Sequence, residues 1–259
     1  KEYPKTPKPV PRYFMHLAYR GAPFHGWQSQ PNAVSVQSTI EQALSTIMRR
    51  QIKITGAGRT DTGVSARKMV AHFDVDQPLS DEQKTVVALN SLVGRDIAIY
   101  SITRVHDDAH ARFDATSRTY RYFATTVKSP FFHTLAWQAS PHLDFEAMNR
   151  AAAILPTVSD FTSFAKLHSD AKTNICKVTR ASWNPIDDNG WMFEITADRF
   201  LRNMVRFIVG TLVEVGRGKM SESQFLDVIN ARNRCEAGTS MPPQALYLWD
   251  ITYPYYSTL

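Results

Sequence analysis

Apolar and polar residues alternate over 12–19, with Tyr13, Met15, Leu17 and Tyr19 on one side. That is the pattern of a strand with one buried face. Gly21, Pro23, Gly26, Pro31 and Asn32 interrupt it and predict a loop over 20–34. Ser35 stands where it can cap a helix whose apolar stripe is Val36, Ile40, Ala43, Leu44 and Ile47. A short strand is expected over 51–55 and a glycine-rich loop over 56–63. Met69, Ala71, Phe73 and Val75 then alternate with His72, Asp74 and Asp76, a further strand. Ser80 and Gln83 form a capping box for a helix running to about Val93, and residues 97–105 read as strand.

The second half uses the same element types. Tyr120, Tyr122 and Ala124 alternate in a strand, and a helix runs from Phe145 to Leu155, stopped by Pro156. Two strands, over 175–183 and 191–197, flank a turn at Asp187-Asp188-Asn189-Gly190. A helical stripe covers Phe200 to Val215 and ends near Gly216 and Gly218. Ser221 and Gln224 form another capping box, and Leu246–Tyr253 makes a last strand. Strands and helices mix without strict alternation, and hairpin signals are present. The fold class is therefore α+β, with mostly antiparallel mixed sheet flanked by helices. A boundary near 106–114 divides the chain into units 12–108 and 112–259. A basic, proline-rich tail, flexible or extended, is expected over 1–11.

Composition narrows the class of function. The 259 residues are 43% hydrophobic and 21% charged, enough for one large or two ordinary soluble domains. No apolar run approaches the ~18 residues of a membrane span. The two cysteines, Cys176 and Cys235, form no CxxC pair, and the histidines are scattered. A zinc site is not expected, and reduced thiols in the cytoplasm are. Net charge is +6, and the basic residues cluster: Arg49, Arg50 and Lys53; Arg112, Arg118 and Arg121; Arg199, Arg202 and Arg206; Arg217 and Lys219. Aromatics sit between them, including Phe113, Tyr120 and Phe200. Such a mixture suits nucleic acid, because cations neutralise phosphates and rings stack on unpaired bases. It equally describes a solvated basic surface.

The most informative string is Gly56-Ala57-Gly58-Arg59-Thr60-Asp61-Thr62-Gly63-Val64. Its three glycines permit positive φ and close backbone approach. Gly58 and Gly63 have P-loop spacing, but Val64 stands where the phosphate-binding lysine belongs. A dinucleotide site is also excluded, since Asp61 would repel a pyrophosphate. No nucleotide cofactor is expected. What is left is an ionised carboxylate held in a tight turn, or an aspartate that only satisfies its own backbone.

The surrounding string resembles the TruA family of tRNA pseudouridine synthases, whose signature loop Gly-Arg-Thr-Asp-x-Gly-Val is matched at Gly58–Val64. Four further blocks match in order: Tyr19–Gln30 with Val36-Gln37, Ala111–Tyr122, Phe200–Arg206, and Pro242-Pro243 with Leu246-Tyr247-Leu248. Thr62, Ser65, Met241 and Ala245 depart from the family pattern, and the histidine the family often places before Asp160 is missing. The resemblance implies a pseudouridine synthase fold of two similar subdomains with an active-site cleft between them. It implies isomerisation of uridine in the tRNA anticodon stem-loop, at positions 38 to 40, by a homodimer. No cofactor is required, because substrate and product are isomers. Asp61 is the implied catalytic carboxylate, Arg206 its cationic partner, and Tyr120 the ring against the uracil. Arg59 is the implied substitute for the flipped base, although a phosphate contact would also suit it. The basic clusters add Arg202 and Lys219 as RNA-binding residues. A non-catalytic RNA-binding or RNA-folding protein on the same scaffold is the alternative; an intact Arg59, Asp61 and Tyr120 set argues against it.

Overall fold

A computed structural model describes residues 10–167 and 171–258 of the chain. The first half contains β1 (Arg12–Tyr19), α1 (Val36–Met48), β2 (Ile54–Gly56), β3 (Ser65–Asp74), α2 (Glu82–Leu92) and β4 (Ile97–Val105). The second contains β5 (Ser117–Thr125), β6 (Trp137–Gln138), α3 (Phe145–Ala152), β7 (Val178–Pro185), β8 (Gly190–Ala197), α4 (Met204–Gly216), α5 (Glu222–Ala231) and β9 (Leu246–Thr252). Residues 1–9 of the expected tail lie outside the described residues. Pro11 already belongs to the folded body, since its carbonyl accepts from Val75 N at 3.0 Å.

The strands form one sheet with the order β4-β1-β3-β9-β5-β8-β7; β2 adds to β3 and β6 to β5. Each half repeats one plan. In the first, β1 lies between β4 and β3, and β3 carries β2, all antiparallel. In the second, β5 lies between β9 and β8, and β8 carries β7, again antiparallel. Both are strand–helix–strand–strand–helix–strand units with the same strand order. They meet where β9 runs parallel to β3, with Ser65 opposite Tyr247 and Ala66 opposite Leu248. The α+β class is as expected, and the sheets of the two similar units merge into one. We propose 12–108 and 112–259 as those two units, sharing β9 as their seam.

Two apolar cores lie against the sheet. One packs Met15, Leu17 and Met69 with Ile40, Leu44 and Leu89 from α1 and α2. The other packs Tyr122, Phe193 and Ile195 with Met148, Ile208, Leu212 and Phe225 from α3, α4 and α5. Leu248 enters the first core and Leu246 the second. Residues two apart on a strand share a face, so both helical layers cover the same side of the sheet. Each fully buried Leu, Ile or Phe contributes about 1.5–3 kcal/mol.

Several local expectations shift. β1 is buried on both faces near its start, because Phe14 is sealed by Tyr253 and Tyr256 at ring separations of 5.2 Å. The cap of α2 is Asp81, whose carboxylate accepts from Lys84 N at 2.9 Å; the Ser80–Gln83 box does not form. A charged acceptor one residue later makes the stronger cap. α3 ends at Ala152, and Pro156 instead opens a 3-10 turn over Leu155–Thr157. The hairpin strand expected over 175–183 is β7, Val178–Pro185. α4 begins at Met204, not Phe200, because Asn203 takes φ 65° and no α-helix continues through a left-handed residue.

His72 is buried, and its Nδ1 accepts from Ala111 N at 3.0 Å. Burial first, then the Arg12 charge, lowers its pKa to about 4. The unfolded chain therefore binds this proton near pH 6.5 while the folded chain does not, so stability falls as pH drops from about 6.5 towards 4. His72→Asn keeps an acceptor for Ala111 N and cannot titrate. We expect it to flatten the fall of the thermal midpoint across that window; an unchanged slope would remove His72 as a source.

Candidate active site

The loop between β2 and β3 is held from several sides. Trp27 N donates to Thr60 O at 3.2 Å, and the Thr60 and Tyr19 hydroxyls are 2.8 Å apart. Gly21 N donates to Ser65 Oγ at 2.9 Å, which gives the departure at Ser65 a structural use. A Cβ at Gly26 would stand 2.6 Å from Thr60 O, and one at Gly21 would stand 2.2 Å from Val64 O. The 20–34 loop thus presses backbone to backbone on the Asp61 loop. Of the three glycines in that loop, Gly63 alone takes positive φ, at 83°. Gly56 is needed for the Trp27 indole, 2.6 Å from where its Cβ would be, and Gly58 faces open space.

The loop delivers Asp61 to two arginines from the second half. Arg206 Nη1 lies 3.6 Å from Asp61 Oδ2, and Arg202 Nε lies 3.6 Å from Oδ1. At that separation they are ion pairs with room for stronger bonds, leaving the carboxylate lone pairs available to a substrate. The two cations differ in freedom. The Arg206 side chain is 17% exposed, and its Nε donates to Met241 O at 2.6 Å. Burial lowers its pKa and Asp61 opposes the shift, and a guanidinium stays charged throughout. Arg202 is 63% exposed. Because Asn203 breaks the helix, Arg202 sits on a turn and reaches Asp61 independently of Arg206 on α4. Asp61, Thr62, Lys166, Arg202, Asn203 and Arg206 line a cleft of about 300 Å³. The N-terminal end of α4 adds its partial positive charge there.

Tyr120 is half-buried on the helical side of β5, edge-on to Phe200 with ring centroids 5.0 Å apart. Burial, then the Asp61 charge, raises the pKa of its hydroxyl, so it stays protonated. Arg59 is exposed on the same loop as Asp61. Asp61, Tyr120, Arg202 and Arg206 are therefore brought together, with Arg59 beside them. Lys219 is not: it is exposed beyond the C-terminal end of α4, whose Gly216 lies about 15 Å from Arg206 by helix rise.

Two participants escaped the sequence reading. Lys166 enters the cleft with its N donating to Arg202 O at 3.2 Å, and no local pattern marks it. Arg118 looked like part of a basic surface, but its guanidinium donates to the carbonyls of Ala115, Asp198, Ala57 and Arg112. It ties the root of the Asp61 loop to the second half. Arg121 is likewise occupied, bonding Glu194 at 2.6 Å and lying 4.2 Å from the Trp249 ring. Among the described residues, no group of three or more His, Cys, Asp or Glu is placed to hold a metal ion.

The chain is similar to known proteins over most of its length. The family profile described as tRNA pseudouridine synthase matches residues 15–114 and 151–254. The chain belongs to this family. It is 54% identical to the tRNA pseudouridine synthase A of Bacteroides fragilis, over 95% of this chain and 97% of that one. Identity to that of Parabacteroides distasonis is 55%, covering 94% and 96%. Identity to that of Leptospira biflexa is 35%, covering 92% of each. As a member of the family, the chain is an isomerase that forms pseudouridine in tRNA.

Arg206→Ala is expected to lower kcat by about 10²–10³, the usual cost of losing a fixed charge at a reacting centre. Arg206→Lys keeps the charge but loses the planar fork that faces Met241 O and Asp61 together, and should recover only part of that rate. Single-turnover rates at saturating tRNA check both. Full recovery by lysine would show that charge alone suffices.

Proposed function

We propose that Asp61 is the carboxylate on which uridine isomerisation depends, and that the substrates are uridines 38 to 40 of the anticodon stem-loop. One observation carries the reading: a carboxylate only 25% exposed is held between two arginines, at the seam of the two halves. The reaction breaks the N1–C1′ bond, turns the uracil, joins C5 to C1′ and releases the C5 proton. An ionised carboxylate can begin it by attacking the ribose or uracil, or by taking the ribose 2′-proton. Either route needs the fixed position and the charge partner that Asp61 has.

The other groups take supporting roles. Arg59 fills the stack vacated by the flipped base, which costs a few kcal/mol to extract. Tyr120, kept protonated, lies against the uracil and can donate a hydrogen bond to it, while the C5 proton leaves to water. Arg202 and Lys166 hold phosphate at the cleft, while Lys219 makes a phosphate contact remote from it. The enzyme acts as a cytoplasmic homodimer. One observation supports the dimer: the sheet face opposite the helices carries Trp249 between Arg67 and Arg121, at 4.8 and 4.2 Å. A half-buried tryptophan flanked by arginines suits a second copy of the chain.

Tritium release from tRNA labelled at uracil C5 tests the central assignment. Wild type should release tritium, and Asp61→Asn should not, while still binding tRNA. Equal release would displace Asp61 from the chemistry. Tight binding with no release by either protein would favour an RNA-binding role on this scaffold. In the same assay, Arg202→Ala and Lys219→Ala should each reduce the salt dependence of tRNA binding by about one unit of slope. Arg202→Ala alone should also lower kcat; a matching loss in Lys219→Ala would place the RNA path differently.

A further inference from the structure

Phe113 is 75% exposed, yet it stands on a rigid turn. Its ring stacks on His110 with centroids 4.1 Å apart and planes 26° apart. His110 Nδ1 accepts from the backbone N–H groups of Arg112 and Phe113, at 3.1 and 3.2 Å. His110 N donates to Asp114 Oδ2 at 2.8 Å, and Asp114 N returns a bond to His110 O at 3.0 Å. The Tyr255 hydroxyl holds the same carboxylate at 2.5 Å. Behind the turn, Ala111 is fully buried. The bonds of the turn hold its backbone so that the ring points outward, with the imidazole against it and the Arg112 guanidinium over it at 5.8 Å. Hydrophobic burial would favour turning such a ring inward. The turn's bonds oppose that.

The turn also belongs to the site. Arg118 Nη2 donates both to Arg112 O, at 2.6 Å, and to Ala57 O, at 3.0 Å. One guanidinium nitrogen thus joins the Phe113 turn to the root of the Asp61 loop, two residues from Arg59. The Arg112 guanidinium lies 5.8 Å from the Phe113 ring. An exposed, pre-stacked aromatic face flanked by an arginine and next to an RNA-modifying site has the chemistry of a base platform.

We infer that Phe113 stacks on one unpaired base of the substrate tRNA, a nucleotide other than the target uridine, while Arg112 meets an adjoining phosphate. The inference rests on the proposed placement of the reaction at Asp61 and extends the RNA contact to a second point, on the turn that Arg118 ties to the Asp61 loop. The His110–Phe113 stack then continues into the RNA as a column, with the ring already ordered before binding. Phe113 sets affinity and register and takes no part in bond making.

Three variants test this with full-length tRNA and the tritium assay: Phe113→Ala, Phe113→Leu and Phe113→Trp. Loss of a base stack should raise KM about tenfold in the alanine and leucine variants, with kcat within about twofold of wild type and tryptophan restoring KM. The salt dependence of binding should not change, because no phosphate contact is lost, whereas Arg112→Ala should reduce it. A leucine variant that binds like wild type would overturn the inference, since it would show that apolar bulk is enough. So would an alanine variant with unchanged KM, or one in which kcat falls and KM does not. Thermal midpoints guard against loss of folding; if alanine destabilises the turn, the leucine–tryptophan comparison decides. Asp61→Asn separates the two readings. Full activity in that variant would sink the catalytic assignment, whereas an Asp61-dependent enzyme indifferent to Phe113 would sink this inference alone.

Discussion

The site depends on the pairing of the last strand, β9, with β3. β3 begins at Ser65, just beyond the Asp61 loop, and its contact with β9 starts there. On its other side β9 pairs with β5, placing Leu248 opposite Tyr120. The segment before β9 is equally engaged. A Cβ at Gly210 of α4 would stand 1.9 Å from Thr239 O, so the backbones touch only because a glycine is there. Two residues on, Met241 O takes the Arg206 guanidinium, and Pro243 packs on Gly63. A single stretch near the C-terminus therefore aligns the carboxylate, its cation and the tyrosine.

That arrangement resolves an electrostatic conflict. A carboxylate in the cleft of an enzyme that acts on tRNA meets a polyanion, which repels it. Arg202 and Arg206 pair with Asp61, and Lys166 and the start of α4 add positive potential beside it. Other arginines are spent on backbone carbonyls. Arg118 holds four, including that of Ala57 at the root of the Asp61 loop, and Arg199 holds those of Thr173 and Ile175. Bonded to neutral oxygens, these groups keep their charge. They stiffen the backbone they hold and still contribute to the potential that draws RNA.

Rigidity recurs in two exposed turns. The Asp61 loop is fixed by close backbone approach at Gly21 and Gly26, and the Phe113 turn by the bonds of His110 and Asp114. Groups ordered before binding lose little entropy when the substrate arrives, so more of the contact energy appears as affinity and alignment.

Local pattern determined a good part of this protein. Alternation marked β1, β3 and β5, the Ser35 and Ser221 caps marked α1 and α5, and the Gly58–Val64 string marked the loop and its aspartate. These are features of residues adjacent in the chain, and adjacent residues carry their own geometry. The site's partners were decided elsewhere. Nothing near Arg118 says that four carbonyls will surround it, and nothing near Lys166 says that it will meet Arg202. Basic clustering grouped Lys219 with Arg202, although the length of α4 sets them apart. Even the start of α4 rested on a single residue, Asn203, whose left-handed backbone belongs to its contacts more than to its sequence neighbours. Which strands become neighbours, which charges meet and which aromatic ring stays exposed are long-range outcomes of packing two units into one sheet. The sequence therefore determined the elements and the Asp61 loop, and tertiary structure alone decided what surrounds Asp61.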